Sequence, residues 1–454
     1  MPARKHVLVL CYPTFGHYIP MLEFAERVVP FHDVTLVVSA TRDQEILQRH
    51  LSPPDPIRLH FLDDQLSINL DENFTEMKQL IQIIKEQAPH YARFVASLNQ
   101  ASSALPHVDA VFCDIFQHAP CQPCHDKGIP LYIVSTYPAE LICGMMRIEK
   151  DTPTIPDETF FSSQDVGEEK EMGSFAQKSG KVVELNQKEA VKCAKGILFN
   201  SFEKIEPTAM QELQKIPELQ DKSLMFVGPL IRTQRNLHHE IESGFPAKVM
   251  QWMNRQKEQS VVYCSFGSIA VASKEQLIEI GNALLETQRP FIWALRPFQQ
   301  EHLPDTFQRT NYDDNVSLSA KYLIVPWASQ KSLLAHRAIA LFISHCGWNS
   351  TLEAVHCGVP LIAWPMFGDQ HFNAKLVEQV GIGVAIPATG MMNARLVPAQ
   401  EISETVERVI GKTADAGDRS GFRKKVSTLA AQAQHALSEE GTSTRNLAEL
   451  LKNL

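Results

Sequence analysis

The sequence HCGWNS at positions 345–350 follows an apolar run and contains small polar residues. The apolar, partly β-branched residues 338–344 predict a buried strand, and a helix is expected to follow and to end at Gly358-Val359-Pro360. The free N–H groups in the first turn of such a helix bind anions. Asn349 or Ser350 is expected to cap this helix, and a plain turn is the alternative interpretation. The candidate phosphate ligands are His345, Gly347, Asn349 and Ser350.

Polar and aromatic residues on both sides of this turn suit the rest of a nucleotide sugar. Trp327 offers a flat ring for a base, and Gln330 offers an amide for a ribose hydroxyl. Glu353 suits a ribose hydroxyl better than a phosphate, because its charge would repel the phosphate. Asp369 and Gln370 offer acceptors and an amide for sugar hydroxyls. A single Trp at such a place is more often a core residue, so only the whole set indicates a nucleotide-sugar site.

A candidate general base lies near the start of the chain. The sequence predicts a strand at residues 6–11 and a helix from Met21 to Val29, which places His17 at a strand-to-helix junction. Asp114 follows another predicted strand at residues 108–113. In an open α/β sheet both positions face the ligand crevice, and a carboxylate fixes the tautomer of a catalytic histidine. The alternatives are a solvated or capping His17 and an Asx turn or helix cap at Asp114.

Composition limits the class of protein. The chain has 454 residues, 44% of them hydrophobic, and a formal net charge of -9. This length allows two domains, and the charge argues against a nucleic-acid partner. No apolar run approaches the roughly 18 residues of a membrane span, and the start MPARKHVLVLCYP has too short an apolar run for a signal peptide. We therefore expect a cytoplasmic, monomeric protein.

Cys121 and Cys124 form a lone C-x-x-C pair among nine Cys that show no disulfide framework. A zinc site would need a second pair at suitable spacing, and none follows. The sequence therefore favours a helix that happens to carry two Cys over a metal or redox site.

Strands and helices alternate along the chain as a doubly wound sheet requires, and this pattern occurs twice. The polar run Arg232–Ser243 is the best candidate for a linker between two domains. We place the first domain at residues 1–235 and the second at residues 236–441. The amphipathic region Phe422–Leu451 predicts one long final helical region.

The order Trp327, Gln330, HCGWNS, Glu353, Trp364 and Asp369-Gln370 resembles the signature box of plant-type family 1 UDP-glycosyltransferases, and a weaker resemblance extends over nearly the whole chain. One departure is Ser329, where the family usually has Pro. The resemblance implies the GT-B fold, an α/β architecture of two doubly wound Rossmann-like domains that face each other across a cleft. It implies acceptor binding by the first domain and UDP-sugar binding by the second. It also implies that the last helix, residues 442–454, packs back on the first domain.

The same resemblance implies roles for single residues. Gly16-His17 and Asp114 match the catalytic base of the family and its support. Thr136 matches a hydroxyl residue that approaches the donor sugar, and Ser268 matches a serine that reaches the diphosphate. A Gln at the position of Gln370 commonly accompanies glucose as the sugar. The implied donor-binding set is Ser268, Trp327, Ala328, Gln330, His345, Gly347, Trp348, Asn349, Ser350, Glu353, Trp364, Asp369, Gln370 and Thr136, with no metal ligand.

The resemblance therefore implies an inverting, metal-independent UDP-glucosyltransferase. His17 would take a proton from a hydroxyl of a small lipophilic acceptor of flavonoid, phenol or terpenoid type, and UDP-glucose would be a co-substrate with no further cofactor. A dehydrogenase is disfavoured, because the first turn reads YPTFGH and lacks G-x-G-x-x-G. A module that only binds nucleotide sugar would have no use for a base. A nucleotide-sugar hydrolase or epimerase stays an alternative.

Overall fold

The computed structural model of the protein describes residues 3–40, 55–64, 76–147, 187–231, 247–267, 270–307, 317–366, 368–386, 395–411 and 421–454. The chain forms two compact units. Among the described residues, the first unit comprises those up to residue 231 and residues 435–454, and the second comprises those from residue 247 to residue 434. The border at residues 235–236 that the sequence suggests lies outside the described residues, and we keep it as a proposal.

The first unit contains a parallel sheet in the strand order β3-β2-β1-β4-β5-β6-β7. Strands β1, β4 and β5 are buried along their whole length, which fits their nearly continuous apolar sequences, since helices cover both faces of such a sheet. The strands are β1 (His6–Leu10), β2 (Asp33–Ser39), β3 (Arg58–Leu62), β4 (Ala110–Asp114), β5 (Leu131–Ser135), β6 (Gly196–Phe199) and β7 (Ser223–Phe226).

Helices of the first unit connect these strands. Residues 187–193 are also helical, and a short 3-10 turn spans Pro217–Leu219. The helices are α1 (Phe15–Val28), α2 (Glu76–Ser97), α3 (Cys121–Asp126), α4 (Ala139–Arg147) and α5 (Ala209–Gln214).

The second unit repeats the design with a parallel sheet in the order β10-β9-β8-β11-β12-β13. Its strands are β8 (Val261–Ser265), β9 (Phe291–Ala294), β10 (Tyr322–Val325), β11 (Ile339–Ser344), β12 (Leu361–Ala363) and β13 (Gly383–Ala385). Its helices are α6 (Ala247–Asn254), α7 (Lys274–Glu286), α8 (Pro297–Gln300), α9 (Gln330–Leu334), α10 (Trp348–His356), α11 (Gln370–Gln379), α12 (Ala399–Ile410) and most of α13 (Phe422–Leu437).

Each sheet has one place where the strand order reverses. In the first unit the chain runs outward from β1 to β3 and then returns to β4 on the other side of β1, and in the second unit β8 and β11 have the same relation. The loops after two such strands diverge and leave a crevice at the carboxyl edge of the sheet, which is where α/β proteins bind ligands. The sequence-predicted base follows β1, and the predicted phosphate turn follows β11.

The last helix, α14 (Thr442–Lys452), packs on the first unit. Leu447, Leu450 and Leu451 belong to the same hydrophobic core cluster as residues of β1 and α1. Polar contacts hold the helix as well, since the carbonyl oxygen of Leu451 lies 2.7 Å from His32 Nε2 and Asn446 Nδ2 donates to the carbonyl oxygen of Phe226 at 3.0 Å. The chain therefore returns to the first unit after completing the second.

One predicted helix boundary is wrong. Helix α1 begins at Phe15 and contains Pro20, although a proline without an N–H is expected outside a helix interior. The predicted helical region Phe422–Leu451 is two helices, α13 and α14, which are separated at Gly441. A Cβ atom on Gly441 would lie 2.2 Å from the carbonyl oxygen of His435, so only glycine allows the chain to pass this closely.

Within the described part of the chain, no helix is long and apolar enough to cross a membrane. The same residues contain no group of three or more His, Cys, Asp or Glu side chains that could hold a metal ion.

Candidate functional site

His17 and Asp114 are in direct contact at the reversal point of the first sheet. His17 Nδ1 lies 2.9 Å from Asp114 Oδ2. Asp114 is fully buried, and its Oδ1 accepts the backbone N–H of Phe116 at 2.9 Å, so the carboxylate is fixed from two sides. An acceptor at Nδ1 holds the neutral imidazole with its proton on that nitrogen, which leaves Nε2 as the basic atom. The pair therefore has the arrangement of a supported general base.

His17 lies in the first turn of α1, not before the helix as the sequence analysis expected. Its backbone N–H donates to the carbonyl oxygen of Thr14 at 3.0 Å. The early start of α1 at Phe15 ties the position of the imidazole to a helix rather than to a loop. A rigid element holds a catalytic group in place better than a loop does.

Thr136, after β5, has its hydroxyl in contact with the base. Thr136 Oγ1 lies 3.1 Å from His17 Nδ1, and the residue is only 4% exposed. Nδ1 therefore has two oxygen neighbours, one from the last residue of β4 and one from the turn after β5. The family resemblance implied that this hydroxyl lies at the donor sugar, and its contact with His17 was not predicted.

Aromatic rings surround the imidazole of His17. The ring centroids of Tyr12, Phe116 and Tyr137 lie 5.2, 4.6 and 6.3 Å from its centroid, all in edge-to-face geometry. These residues were not predicted as part of the site. Each follows the end of β1, β4 or β5 by two residues, and an aromatic residue at that spacing is the signal that could have identified them.

Helix α2 supports the turns after β1 and β4. Tyr91 Oη donates to the carbonyl oxygen of Cys11 at 2.7 Å. Gln87 Oε1 accepts from Gln117 Nε2 at 3.2 Å, and Gln87 Nε2 donates to Asp64 Oδ2 at 2.7 Å. These side chains are buried, so their hydrogen bonds are costly to break and they hold the turn after Asp114 in one conformation.

The second unit carries the candidate anion site after β11. Gly347 is the N-cap of α10, so the expectation that Asn349 or Ser350 caps this helix is wrong; both lie inside its first turns. Burial lowers the pKa of His345 to about 4, although a hydrogen bond with the backbone of Ser265 acts in the opposite direction. The imidazole is therefore neutral at pH 7. The ring is held between two glycines, because Cβ atoms on Gly267 and Gly347 would lie 2.8 and 2.7 Å from its Nε2.

Side-chain hydrogen bonds between α9 and α10 connect the residues predicted to hold the ribose. Gln330 Nε2 donates to Ser350 Oγ at 2.9 Å and to Glu353 Oε2 at 2.7 Å. Trp327, just before α9, is 52% exposed, unlike the other large aromatic side chains of this unit, which are mostly core residues. An exposed indole beside an amide and a carboxylate suits a stacked base with its ribose. Ala328 between them is buried, and Ser329 donates to Ser332 Oγ at 2.8 Å.

Hydrogen bonds connect a residue predicted at the sugar, Asp369, with the turn that carries the anion site. Asp369 Oδ2 accepts from Asn373 Nδ2 at 2.7 Å, and the same amide donates to the carbonyl oxygen of Cys346 at 2.8 Å. Gln370 Oε1 accepts the N–H of Met366 at 2.8 Å. Asn373 was not predicted, although its place one helical turn after Asp369 could have indicated the contact.

Two of the predicted donor residues are buried tryptophans. Trp364 is fully buried with its ring edge-to-face on Phe266, and Trp348 is 3% exposed. The structure therefore gives both indoles a packing role and does not support their direct contact with a sugar. Ser268 lies outside the described residues.

Known proteins match the chain in sequence. A family profile described as UDP-glucoronosyl and UDP-glucosyl transferase matches residues 223–411. UDP-glucosyltransferase 103 of Panax ginseng is 29% identical over 99% of this chain and 100% of its own length. Anthocyanidin 3-O-glucosyltransferase 5 of Manihot esculenta is 26% identical over 99% of this chain and 95% of its own length.

Solved structures match the fold. A complex between a UDP-glucosyltransferase from Polygonum tinctorium capable of glucosylating indoxyl and 3,4-dichloroaniline gives a TM-score of 0.76 at 26% identity, covering 99% of this chain and 98% of that chain. Phytolacca americana UGT2 complexed with UDP-2fluoro-glucose and pterostilbene gives a TM-score of 0.75 at 25% identity, covering 99% of both chains. The predicted GT-B fold is confirmed. Over nearly its whole length the chain is similar to plant UDP-glucosyltransferases, and these matches support an enzyme of that plant type.

Proposed function

We propose that the protein transfers glucose from UDP-glucose to a hydroxyl of a small lipophilic acceptor, with inversion at the anomeric carbon. The observation that carries this proposal is the 2.9 Å contact between His17 and Asp114, since a supported base is what an acceptor hydroxyl requires. The names of the relatives support the acceptor class, because they include an anthocyanidin glucosyltransferase and a structure with pterostilbene.

On the acceptor side, His17 Nε2 takes the proton of the hydroxyl as its oxygen attacks the anomeric carbon. The imidazolium that forms is stabilised by Asp114, which is already hydrogen-bonded to Nδ1 and needs no rearrangement. The rings of Tyr12, Phe116 and Tyr137 give the base an apolar surrounding that suits an aromatic or aliphatic acceptor.

On the donor side, Trp327 stacks on the base and Glu353 and Gln330 hold the ribose hydroxyls. The free N–H groups at the start of α10 donate to the diphosphate as it leaves, and the single N–H of the neutral imidazole of His345 passes from the backbone of Ser265 to the diphosphate when the UDP-sugar binds. Asp369 accepts from hydroxyls of the hexose. These donors meet the charge of the leaving diphosphate with fixed dipoles, and we propose that no metal ion is needed for this step.

Product analysis tests the proposal. The purified protein is incubated with UDP-glucose and a panel of flavonoids, simple phenols and terpenoid alcohols, with and without a chelator, and the products are identified by mass spectrometry and NMR. We expect a β-glucoside, formed at nearly the same rate with the chelator. An α-linked product would contradict inversion, release of free glucose without an acceptor product would favour a hydrolase, and a loss of activity restored by Mg²⁺ or Mn²⁺ would contradict the metal-free step.

Donor choice gives a prediction about Gln370. We expect UDP-glucose to have a higher kcat/KM than UDP-galactose, UDP-xylose or UDP-glucuronate, because a uronate would bring a carboxylate against Asp369. The variant Gln370→Ala should reduce this discrimination by about 1 to 3 kcal/mol if the amide reads the sugar. Competition assays with one acceptor and equal donor concentrations measure the effect.

A matched variant separates a direct contact from a structural one. Gln370 Oε1 accepts the N–H of Met366, and Gln370→Glu keeps that acceptor while removing the amide N–H groups. A direct role of the amide predicts that Gln370→Glu loses discrimination as Gln370→Ala does. If Gln370→Glu keeps full discrimination, Gln370 acts only by holding the turn at Met366.

The contact of Thr136 with His17 gives another prediction. Thr136→Val removes the hydroxyl but keeps the shape, and we expect kcat/KM for the acceptor to fall about 3- to 10-fold. The imidazolium loses one stabilising oxygen, so the loss should appear in kcat, and KM for UDP-glucose should stay unchanged. Thr136→Ser should restore kcat. A rise in KM for UDP-glucose with an unchanged kcat would instead return Thr136 to the donor sugar.

A further inference from the structure

Two cysteines of the first unit, far apart in the sequence, lie on helical elements that pack against each other. Cys121 is the first residue of α3, and Cys193 is the last residue of the 187–193 helical segment. Each thiol is the largest influence on the pKa of the other, which places the two sulfurs near each other. The sulfur of Cys121 also lies 4.0 Å from the carbonyl oxygen of Ala190, which places α3 directly against this segment. The contact is therefore part of the packing of two helical elements.

The surroundings favour a thiolate at Cys193. The hydrogen bond from Cys121 is the main reason that the pKa of Cys193 is lowered to about 7, with smaller contributions from His125 and Lys222. The ammonium group of Lys222 donates to the carbonyl oxygens of Lys192 and Ala194 at 2.6 and 2.7 Å, so a cation lies beside Cys193 and offsets the carbonyl dipoles there. The pKa of Cys121 is raised by the same hydrogen bond and by burial.

Solvent exposure distinguishes the pair Cys121 and Cys193 from the C-x-x-C pair Cys121 and Cys124. Cys193 is exposed and Cys121 is partly exposed, whereas Cys124 is buried. Burial raises the pKa of Cys124 to about 12, so its thiol stays protonated at neutral pH. The nucleophile in a thiol–disulfide exchange is a thiolate that the reagent can reach. The structure thus pairs Cys121 with Cys193, and not with its sequence neighbour.

We propose that Cys121 and Cys193 form a dithiol site that a small disulfide such as glutathione disulfide oxidises reversibly to a Cys121–Cys193 disulfide. This inference is independent of the proposed function. The thiolate of Cys193 attacks one sulfur of glutathione disulfide, which forms a mixed disulfide and releases one glutathione thiolate. The sulfur of Cys121 then attacks Cys193, and its proton leaves with the second glutathione. Two electrons pass from the two cysteines to glutathione disulfide, which is reduced to two glutathione molecules.

Thiol mapping of the full chain tests this site. The protein is equilibrated in glutathione buffers of increasing disulfide content, quenched with an alkylating reagent, digested and analysed by mass spectrometry. We expect Cys121 and Cys193 to lose alkylation together and to appear as one cross-linked peptide pair that a dithiol reductant separates. In the Cys121→Ser variant no second thiol can attack the mixed disulfide, so Cys193 should retain one bound glutathione.

Alkylation rates give an independent readout. The rate at Cys193 should rise with pH with a midpoint near 7, because only the thiolate reacts, and in Cys121→Ala, which leaves no hydrogen-bond donor at this position, the midpoint should move up. Cys124→Ser is the matched control, since it removes the other Cys of the motif and should leave the cross-link intact. A Cys121–Cys124 bond, loss of the cross-link in Cys124→Ser, or a Cys193 that reacts no faster than Cys357 would each overturn the proposal.

Discussion

The variant His17→Ala is expected to lower kcat by about 100- to 10,000-fold, the usual cost of removing a general base. His17 is the side chain whose Nδ1 is fixed by the buried carboxylate of Asp114, and its Nε2 is the basic atom that this arrangement provides. Affinity for UDP should stay nearly unchanged, because the residues proposed to bind the nucleotide belong to the second unit. Steady-state kinetics with an alcohol acceptor and calorimetric titration with UDP measure both quantities.

Two further variants make this test specific. Asp114→Asn keeps the size of the side chain but weakens the support of the base, so its loss of kcat should not exceed that of His17→Ala. The exposed His107 serves as a control, and His107→Ala should retain wild-type kinetics. If His17→Ala keeps more than about a third of the wild-type rate, the role proposed for His17 is wrong.

The second large effect is expected for Gly347→Ala. The backbone of Gly347, with φ -53° and ψ 144°, accepts alanine without strain, so the substitution acts only through its added methyl group. That methyl group would lie 2.7 Å from Nε2 of His345, and the imidazole must move. We expect kcat/KM for the UDP-sugar to fall about 10- to 100-fold, the range for a lost hydrogen bond to a charged group.

A double-mutant cycle shows whether the methyl group acts through His345. In a His345→Ala background the added methyl group has nothing to displace, so Gly347→Ala should cost little there. Gly144→Ala is the control for the substitution itself, because a Cβ on Gly144 meets nothing within 4 Å. Equal losses from Gly347→Ala in both backgrounds would show that His345 is not the group it affects.

The strands and the order of the two sheets could be predicted because apolar runs ending in polar turns are local signals. The predicted strand at residues 338–344 is observed as β11, and its turn carries the expected His345 and Gly347. Local rules failed where tertiary packing decides. Pro20 should have stopped a helix, yet α1 continues through it because Tyr18, Met21 and Phe24 are buried in the core around it.

The pairing of side chains was less predictable than their positions. His17 and Asp114 could be placed at the same sheet edge from the sequence, because the carboxyl ends of parallel strands share an edge. The rotation of each side chain could not be predicted, and it decides that Thr136 contacts His17 and that Trp364 turns into the core. Sequence order alone also could not show that Cys193 lies against Cys121.

Because α14 packs on the first unit, that unit contains both an early and the latest segment of the chain. During synthesis the sheet around β1 leaves the ribosome long before Leu447, Leu450 and Leu451 exist. The apolar surface of the first unit that α14 will cover therefore stays open to water until α14 has been synthesised. The second unit, by contrast, can assemble most of its core beforehand. The unit whose synthesis begins first is thus the unit whose core is completed last.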